Sequence, residues 1–275
     1  MSSLIDSGIV RRNRKKLCCG SESDRNDCRY EMRFLNKDSL HELVSLQNLI
    51  GENLTEPEIF RLHDKKDFKD IFQSEHSVIG VATAYGLVGY SIIRIPGTAE
   101  DNLGRDIKLA KEEHTKVAHL QATAVHPLFR GNGLQQKLAR AHLDELEKMG
   151  YNHVCCTVSP RNPTSLANIM SCGFVIKGLV PKFEGWWRYI MYKGILCPSG
   201  AAAGANSAPC NVTSTVGSTV TNTDSNMSVG GGSLEDEIKI SCSDIEGQID
   251  LLKRGFEGFR MAPLSRSPEV FYRKF

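Results

Sequence analysis

Residues 125–138, VHPLFRGNGLQQKL, constrain the fold of this chain more than any other stretch. An apolar, strand-like run ends at Val125. A loop follows Arg130, with Gly131 and Gly133 on either side of Asn132, and Leu134 and Leu138 then open a helical pattern. Strand, glycine loop and helix in that order leave backbone N–H groups unpaired at a helix N-terminus. With the helix dipole behind them, such groups form a site for an anion, above all a phosphate. Short glycine loops before helices are common, and by itself this one is equally a turn that redirects the chain. The flanking segments have to decide.

Those segments belong to a chain of 275 residues, long enough for one core with an appendage. A net charge of +2 points neither to nor away from nucleic acid, so basic residues are judged by position. No apolar run reaches the length of a membrane span, and the N-terminus lacks a secretory apolar core. The expectation is a cytoplasmic protein. The basic run Arg11, Arg12, Arg14, Lys15 and Lys16 offers a nuclear address, or a membrane contact aided by acylation of Cys18 or Cys19, as the alternatives to a solvated tail. The nine cysteines include no CxxC pair and no zinc spacing, so no metal is expected. Cys155, Cys156 and Cys172 read as small buried residues in reduced form.

Residues 1–28 read as a disordered tail. From Tyr30 a strand is expected. A helix capped at Asp38-Ser39 follows, with Leu40, Leu43, Leu46 and Leu49 on one face, then a second helix from Thr55 with Glu58 closing a capping box. Residues 77–83 and 87–95 form a hairpin around Ala84-Tyr85-Gly86. Residues 97–115 form a long loop with a helical piece at 107–113, and long ordered loops more often serve a site than decorate a fold. Strands are expected at 116–125 and 151–158, the second buried on both faces. Helices follow the glycine loop to about Met149 and start again at Pro163, stopped by Gly150 and Gly173. Two last strands cover 174–177 and 187–192. Residues 198–234, rich in Ala, Gly, Ser, Thr and Asn, read as a linker. Residues 235–275 then read as a helix and two strands. IMSCGF (169–174) and LLKRGF (251–256) suggest a degenerate repeat of the main domain's last αββ unit, or two unrelated helix endings.

Strand, glycine loop, helix, strand and an Asn-initiated helix ending in Gly-Phe resemble the GNAT superfamily of acetyl-CoA-dependent N-acyltransferases. The residues that carry the resemblance are Val125, Pro127, Arg130-Gly131-Asn132-Gly133-Leu134, Leu138, Asn162, Ser165 and Gly173-Phe174. It covers roughly residues 30–195. The implied fold is mixed α/β: a central twisted mixed sheet flanked by helices, with the family's fourth and fifth strands (here 116–125 and 151–158) splayed apart, plus the C-terminal αββ appendage. The implied domain runs over 29–197. In the family the loop's N–H groups hold the coenzyme A pyrophosphate, which assigns Arg130, Gly131, Asn132, Gly133, Leu134 and Gln135 to coenzyme binding. The family's signature ends in Gly or Ala where this chain has Gln135, whose side chain would either crowd the phosphate or donate to it. Backbone groups of Ala124 and Val125 would pair with the pantetheine arm, and Asn162 sits where the family often contacts the coenzyme or else only shapes a turn.

Direct transfer needs an uncharged amine, hence a proton acceptor. His119 is the candidate base, because imidazole titrates in the useful range and His119-Leu-Gln resembles the His-Leu-His of arylalkylamine N-acetyltransferases. A hydrogen-bonded structural histidine is the competing reading. The family's tyrosine acid is replaced by Ile169. Tyr192, or Tyr189, or water would then donate to the leaving thiolate, or the thiolate leaves unaided, as its modest basicity permits. Glu112, Glu113 and His114 are weaker candidates, and Trp186 and Trp187 would wall an acceptor pocket or pack the core. The expected function is transfer of an acetyl group from acetyl-CoA to a primary amine, on a small molecule or a peptide, with no specific nucleic-acid partner, and a homodimer is compatible with it. The alternative is a catalytically weak acyl-CoA-binding regulatory module.

Overall fold

In this computed structural model the structure describes residues 4–13, 26–74, 76–195 and 237–274. Eleven strands join in one sheet. They are β1 (Leu4–Arg12), β2 (Asn26–Phe34), β3 (Val78–Thr83), β4 (Gly86–Arg94), β5 (Val117–Val125), β6 (His153–Val158), β7 (Val175–Lys182), β8 (Trp186–Gly194), β9 (Ile238–Ser241), β10 (Phe256–Met261) and β11 (Glu269–Lys274). Their spatial order is β1-β2-β3-β4-β5-β6-β8-β7-β10-β11-β9. Among the registered neighbours only β5 and β6 are parallel. The helices are α1 (Leu40–Glu52), α2 (Lys65–Ile71), α3 (Leu134–Lys148), α4 (Pro163–Met170) and α5 (Ile245–Lys253).

Two layers of helix cover the sheet. On α1, Leu43, Leu46 and Ile50 recur on one helical face and bury against Tyr90, Ile92, Ala122 and Ala124, with Phe68 of α2 beside them. The next residue along a strand points the other way: Val78 joins this core, while Ile79 joins one on the opposite face with Leu134 and Leu138 of α3. Farther along, Ala139, Leu143 and Leu146 of α3 share a third core with Leu166 and Ile169 of α4 and Leu251 of α5. β4 is buried over nearly its whole length, which is why its sequence is apolar but for buried Ser91 until Arg94.

The N-terminal tail expectation is overturned for the described residues. β1 pairs with β2 along its length, and Val10 is 2% exposed. β1 is an outer strand that buries one face only, so its alternating polar residues resemble an unstructured segment. Arg11 pairs with Asp27 at 3.4 Å and Arg12 stacks over Tyr85 at 4.4 Å, so neither is a free basic residue of a nuclear or membrane address. Arg14 to Lys16, Cys18, Cys19 and the 198–234 linker lie outside the described residues.

Three smaller expectations shift. The helix from Thr55 is a single 3-10 turn at Pro57–Ile59, and α2 starts only at Lys65. A 3-10 turn capped by Asn36 precedes α1, whose own N-cap Ser39 makes no side-chain bond. The helical piece of the long loop lies at Lys111–Lys116.

Residues 237–274 add four elements rather than three, because the short strand β9 precedes α5. β10 pairs with β7 at Gly258–Ile176, Lys177 and Glu257 pair across that seam, and both Tyr189 and Tyr272 donate to Oε1 of buried Gln248 at 2.7 and 2.8 Å. β6-α4-β7-β8 and β9-α5-β10-β11 match position by position. Asn162 and Asp244 cap their helices by accepting from the N–H three residues on. Gly173 and Gly255 follow those helices at φ 87° and 85°. The register slips between Ile176 and Gly178 in one hairpin, and between Gly258 and Arg260 in the other.

Candidate active site

β5 and β6 run side by side only over Val117–His119 and His153–Cys155. Beyond His119 they part. β4 stays paired with β5 as far as Val125, with an extra residue, Gln121, bulging between Leu120 and Ala122. The gap opens into a cleft of about 830 Å³ that reaches from Arg94 and His119 to the glycine loop.

At the loop, Gly131 and Gly133 lie at φ 85° and 69°, a region that L side chains rarely adopt. A Cβ on Gly131 would meet nothing within 4 Å, so the space over the loop is open. Gly133 is the N-cap of α3 and supplies no capping side chain. Among the described residues the N–H groups from Gly131 to Gln136 meet no protein acceptor; the next one, of Lys137, bonds Gly133 O at 3.0 Å. A row of free donors on a helix N-terminus fits the pyrophosphate of a coenzyme.

The loop is braced from outside. The Asn132 side chain accepts from Arg11 N–H and donates to Arg11 O, both at 2.9 Å, and donates to Phe129 O at 2.8 Å. Asn13 donates from its side chain to Arg130 O at 2.8 Å and from its backbone to Leu128 O at 2.7 Å. Asn132 therefore holds β1, and its side chain is not a coenzyme ligand. Arg130 donates from Nε to Val125 O at 3.3 Å. Gln135 turns sideways: its amide donates to Ser165 Oγ at 2.8 Å and accepts from Asn168 at 2.7 Å. It neither crowds the cradle nor points a donor into it. Asn162 Oδ1 is spent on the Ser165 N–H at 3.0 Å, so that side chain caps α4. Ala124 is on the sheet core, and Val125 and Leu134 line the cleft.

His119 lines the cleft at 5% exposure. Its Nε2 accepts the Leu103 N–H at 3.0 Å. The proton of the neutral ring is then on Nδ1, and no ring lone pair is left for a substrate amine. Burial, aided by the Arg94 charge, pulls its pKa down to about 4. In this geometry His119 is a hydrogen-bonded, neutral anchor for the loop after β4, which favours the competing structural reading over the base. Tyr192 is also displaced from its expected role. It lies outside the cleft lining, with its hydroxyl 3.0 Å from Nδ1 of His153, whose Nε2 meets Glu113 at 2.9 Å. Tyr189 is tied to Gln248. No tyrosine is among the described residues that line the cleft. Burial raises the thiols of Cys155 (to about 12) and Cys156, which makes neither a nucleophile.

Two residues went unread in the sequence. His63 lines the cleft, buried, and neither ring nitrogen has a partner. Its backbone is held at both ends by the Gln47 amide, at 2.7 and 2.8 Å. Arg188, 3% exposed, also lines the cleft. A polar residue between aromatics in Trp186-Trp187-Arg188-Tyr189 was the available signal.

The model of the acetyltransferase (GNAT) family matches residues 42–174. The chain carries a GNAT acetyltransferase domain. The match runs from α1 through the glycine loop to Phe174, and GNAT enzymes use acetyl-CoA as co-substrate. Three solved structures are similar. Ard1 from Thermoplasma volcanium is 18% identical, with 61% of this chain and 98% of that one covered, at a TM-score of 0.47. The putative acetyltransferase yncA from Salmonella typhimurium, solved with its cofactor acetyl-CoA, is 18% identical, with 64% and 98% covered, at 0.47. Spermidine N-acetyltransferase from Vibrio cholerae, in complex with CoA and spermine, is 17% identical, with 60% and 95% covered, at 0.42. A search of curated proteins found no match. Among the described residues no group of His, Cys, Asp or Glu side chains is arranged to hold a metal, and no helix is long and apolar enough to cross a membrane.

Proposed function

We propose that this protein transfers an acetyl group from acetyl-CoA to a primary amine by direct attack. The observation that carries the reading is the parting of β5 from β6 into a cleft that ends on the unpaired N–H groups of residues 131–136. Bound there, acetyl-CoA supplies a thioester carbonyl. The loop's N–H groups hold the pyrophosphate, and the edges of β5 and β6 freed by the splay orient the arm that leads to the thioester. An amine that has lost its proton to water forms the new N–C bond. The C–S bond breaks, and the sulfur leaves with the electron pair and takes up a proton. A thiol is acidic enough to leave without a tyrosine, which accords with the tyrosine-free cleft wall. His119 keeps the wall in place by binding Leu103, and water carries the protons.

We also infer that residues 237–274 are a degenerate repeat of the main domain's last four elements. The matched caps, glycines and register slips support this.

The test is thiol release from acetyl-CoA across amines, polyamines, amino acids and peptide N-termini. Turnover with at least one acceptor, lost when Gly131 is replaced by Val, is the expected outcome. Tight coenzyme binding with no turnover on any amine would instead favour the regulatory module.

A further inference from the structure

One wall of the cleft, built from the loop after α1 and the β7–β8 hairpin, carries a buried cation that no carboxylate meets in a direct ion pair among the described residues. Arg188 is its centre. Nη2 donates to Glu58 O at 2.5 Å and Nη1 to Trp187 O at 3.3 Å. Both acceptors are main-chain carbonyls without formal charge. The guanidinium lies 5.4 Å from the Trp186 ring centroid and 5.6 Å from that of Phe183. Among the described residues no carboxylate is within ion-pairing distance of it. The acids nearby are committed elsewhere. Asp101 takes Arg94 through both oxygens at 2.5 and 2.9 Å. Asp106 takes Lys182 at 2.9 and 2.8 Å. Glu56 and Glu58 face Arg161 at 2.6 and 3.8 Å, and Glu58 acts on Arg188 only through space, offsetting part of what burial costs the guanidinium. Arg61, stacked on Phe183 at 4.7 Å, is likewise in no ion pair among the described residues. Around the wall, then, Arg61, Arg94, Lys182 and Arg188 line the cleft against the single carboxylate of Asp101.

A buried cation is costly unless an anion offsets it. The hairpin tip adds a second cost. Phe183 and Glu184 sit at φ 47° and 63°, strained for side chains of their size, and the turn sets the Phe183 ring between Arg61 and Arg188. An arrangement that retains both costs inside a substrate cleft is built for something that arrives with the substrate.

We propose that the acceptor is an amine that also bears a carboxylate, and that Arg188 receives this carboxylate. The planar guanidinium fork matches a carboxylate, its flanking rings hold the fork in plane, and Arg61 adds long-range attraction. The inference rests on the acetyl-transfer reading and names its substrate class.

The experiment measures kcat/KM for α-, β- and ω-amino acids, each beside its amide and its decarboxylated amine, with 2-aminoethyl phosphate as the other anionic acceptor. Wild-type protein is expected to favour the best amino acid over its amide by about 30-fold or more, the scale of losing one partner of a buried charge pair. Arg188→Gln is expected to raise KM for the amino acid until that preference falls to within about threefold, with coenzyme affinity unchanged as the check on folding. Arg188→Lys is expected to keep part of the preference. Equal use of amides and acids by the wild type overturns the inference while leaving acetyl transfer intact. So does a preference for the phosphate, and so does an Arg188→Gln variant that loses all acceptors alike, the mark of a structural peg. No turnover with any amine overturns the acetyl-transfer reading and this inference with it.

Discussion

Gln135 shows how one side chain can depart from a family pattern without disturbing it. The family expects a small residue there, and a glutamine over the phosphates would clash or compete. Instead its amide bridges to Ser165 and Asn168 on α4. Gln135→Ala is therefore expected to change coenzyme affinity by less than about threefold while lowering stability by about 1 kcal/mol, the worth of a lost hydrogen bond or two. Isothermal titration and urea denaturation separate the two effects, and a tenfold loss of affinity would place Gln135 on the coenzyme after all. His119 makes the opposite point. Its residue type and strand position suggested a base, but its Nε2 lone pair is given to Leu103 N–H. The pH profile of kcat/KM is expected to follow the acceptor's own amine, with no break between pH 6 and 8 that His119→Ala removes. If such a break exists and disappears in that variant, the imidazole is the base. What decides both cases is a partner 16 or more residues away, which sequence spacing does not reveal.

At the scale of elements, much was legible because burial leaves a pattern. The apolar stripe of α1, the doubly covered β6, the hairpin β3–β4 and the glycines that end α3 and α4 all announce themselves. β1 and β9 do not. β1 is an outer strand with one fully buried side chain, and β9 has four residues, so neither carries enough period to be told from a tail. The parting of β5 and β6 also leaves no periodic trace. It was expected from the family resemblance and is observed as a register that stops at His119 and Cys155. Because Asn132 and Asn13 join β1 to the loop, deleting residues 1–13 is expected to weaken coenzyme binding by about tenfold, or ~1.4 kcal/mol, one to two hydrogen bonds' worth of loop ordering. Equilibrium titration with coenzyme A checks this, with circular dichroism to confirm that the sheet survives. Unchanged affinity would mean the loop holds its shape unaided.

On the scale of the whole molecule, the eleven strands of the described residues make a single sheet whose β7 edge is covered by residues 237–274. Ending the chain at residue 195 would uncover Ile176 and leave Tyr189 without Gln248. Loss of solubility is the expected result, read by sedimentation. Acid should also act globally. Burial holds both His119 and His142 at about 4, below their ordinary value. Between that value and the unfolded pKa of about 6.5 the unfolded chain binds protons that the folded one refuses, so stability rises with pH there and falls on acidification. From pH 7 to pH 5 a loss on the order of 2 kcal/mol per histidine is expected, measured as a shift of the urea midpoint, and His142→Gln should remove part of it. A flat midpoint across that range would mean that these rings meet solvent.

The three bonds of Asn132 have a practical reading. The opening residues look expendable, the kind routinely trimmed or buried under an affinity tag when a gene is cloned. Since Arg11 is gripped by the loop proposed to hold the coenzyme, any such edit would on that reading be an edit of the enzyme's grip on its donor. A weak or silent preparation of this protein should first be asked how its N-terminus was handled.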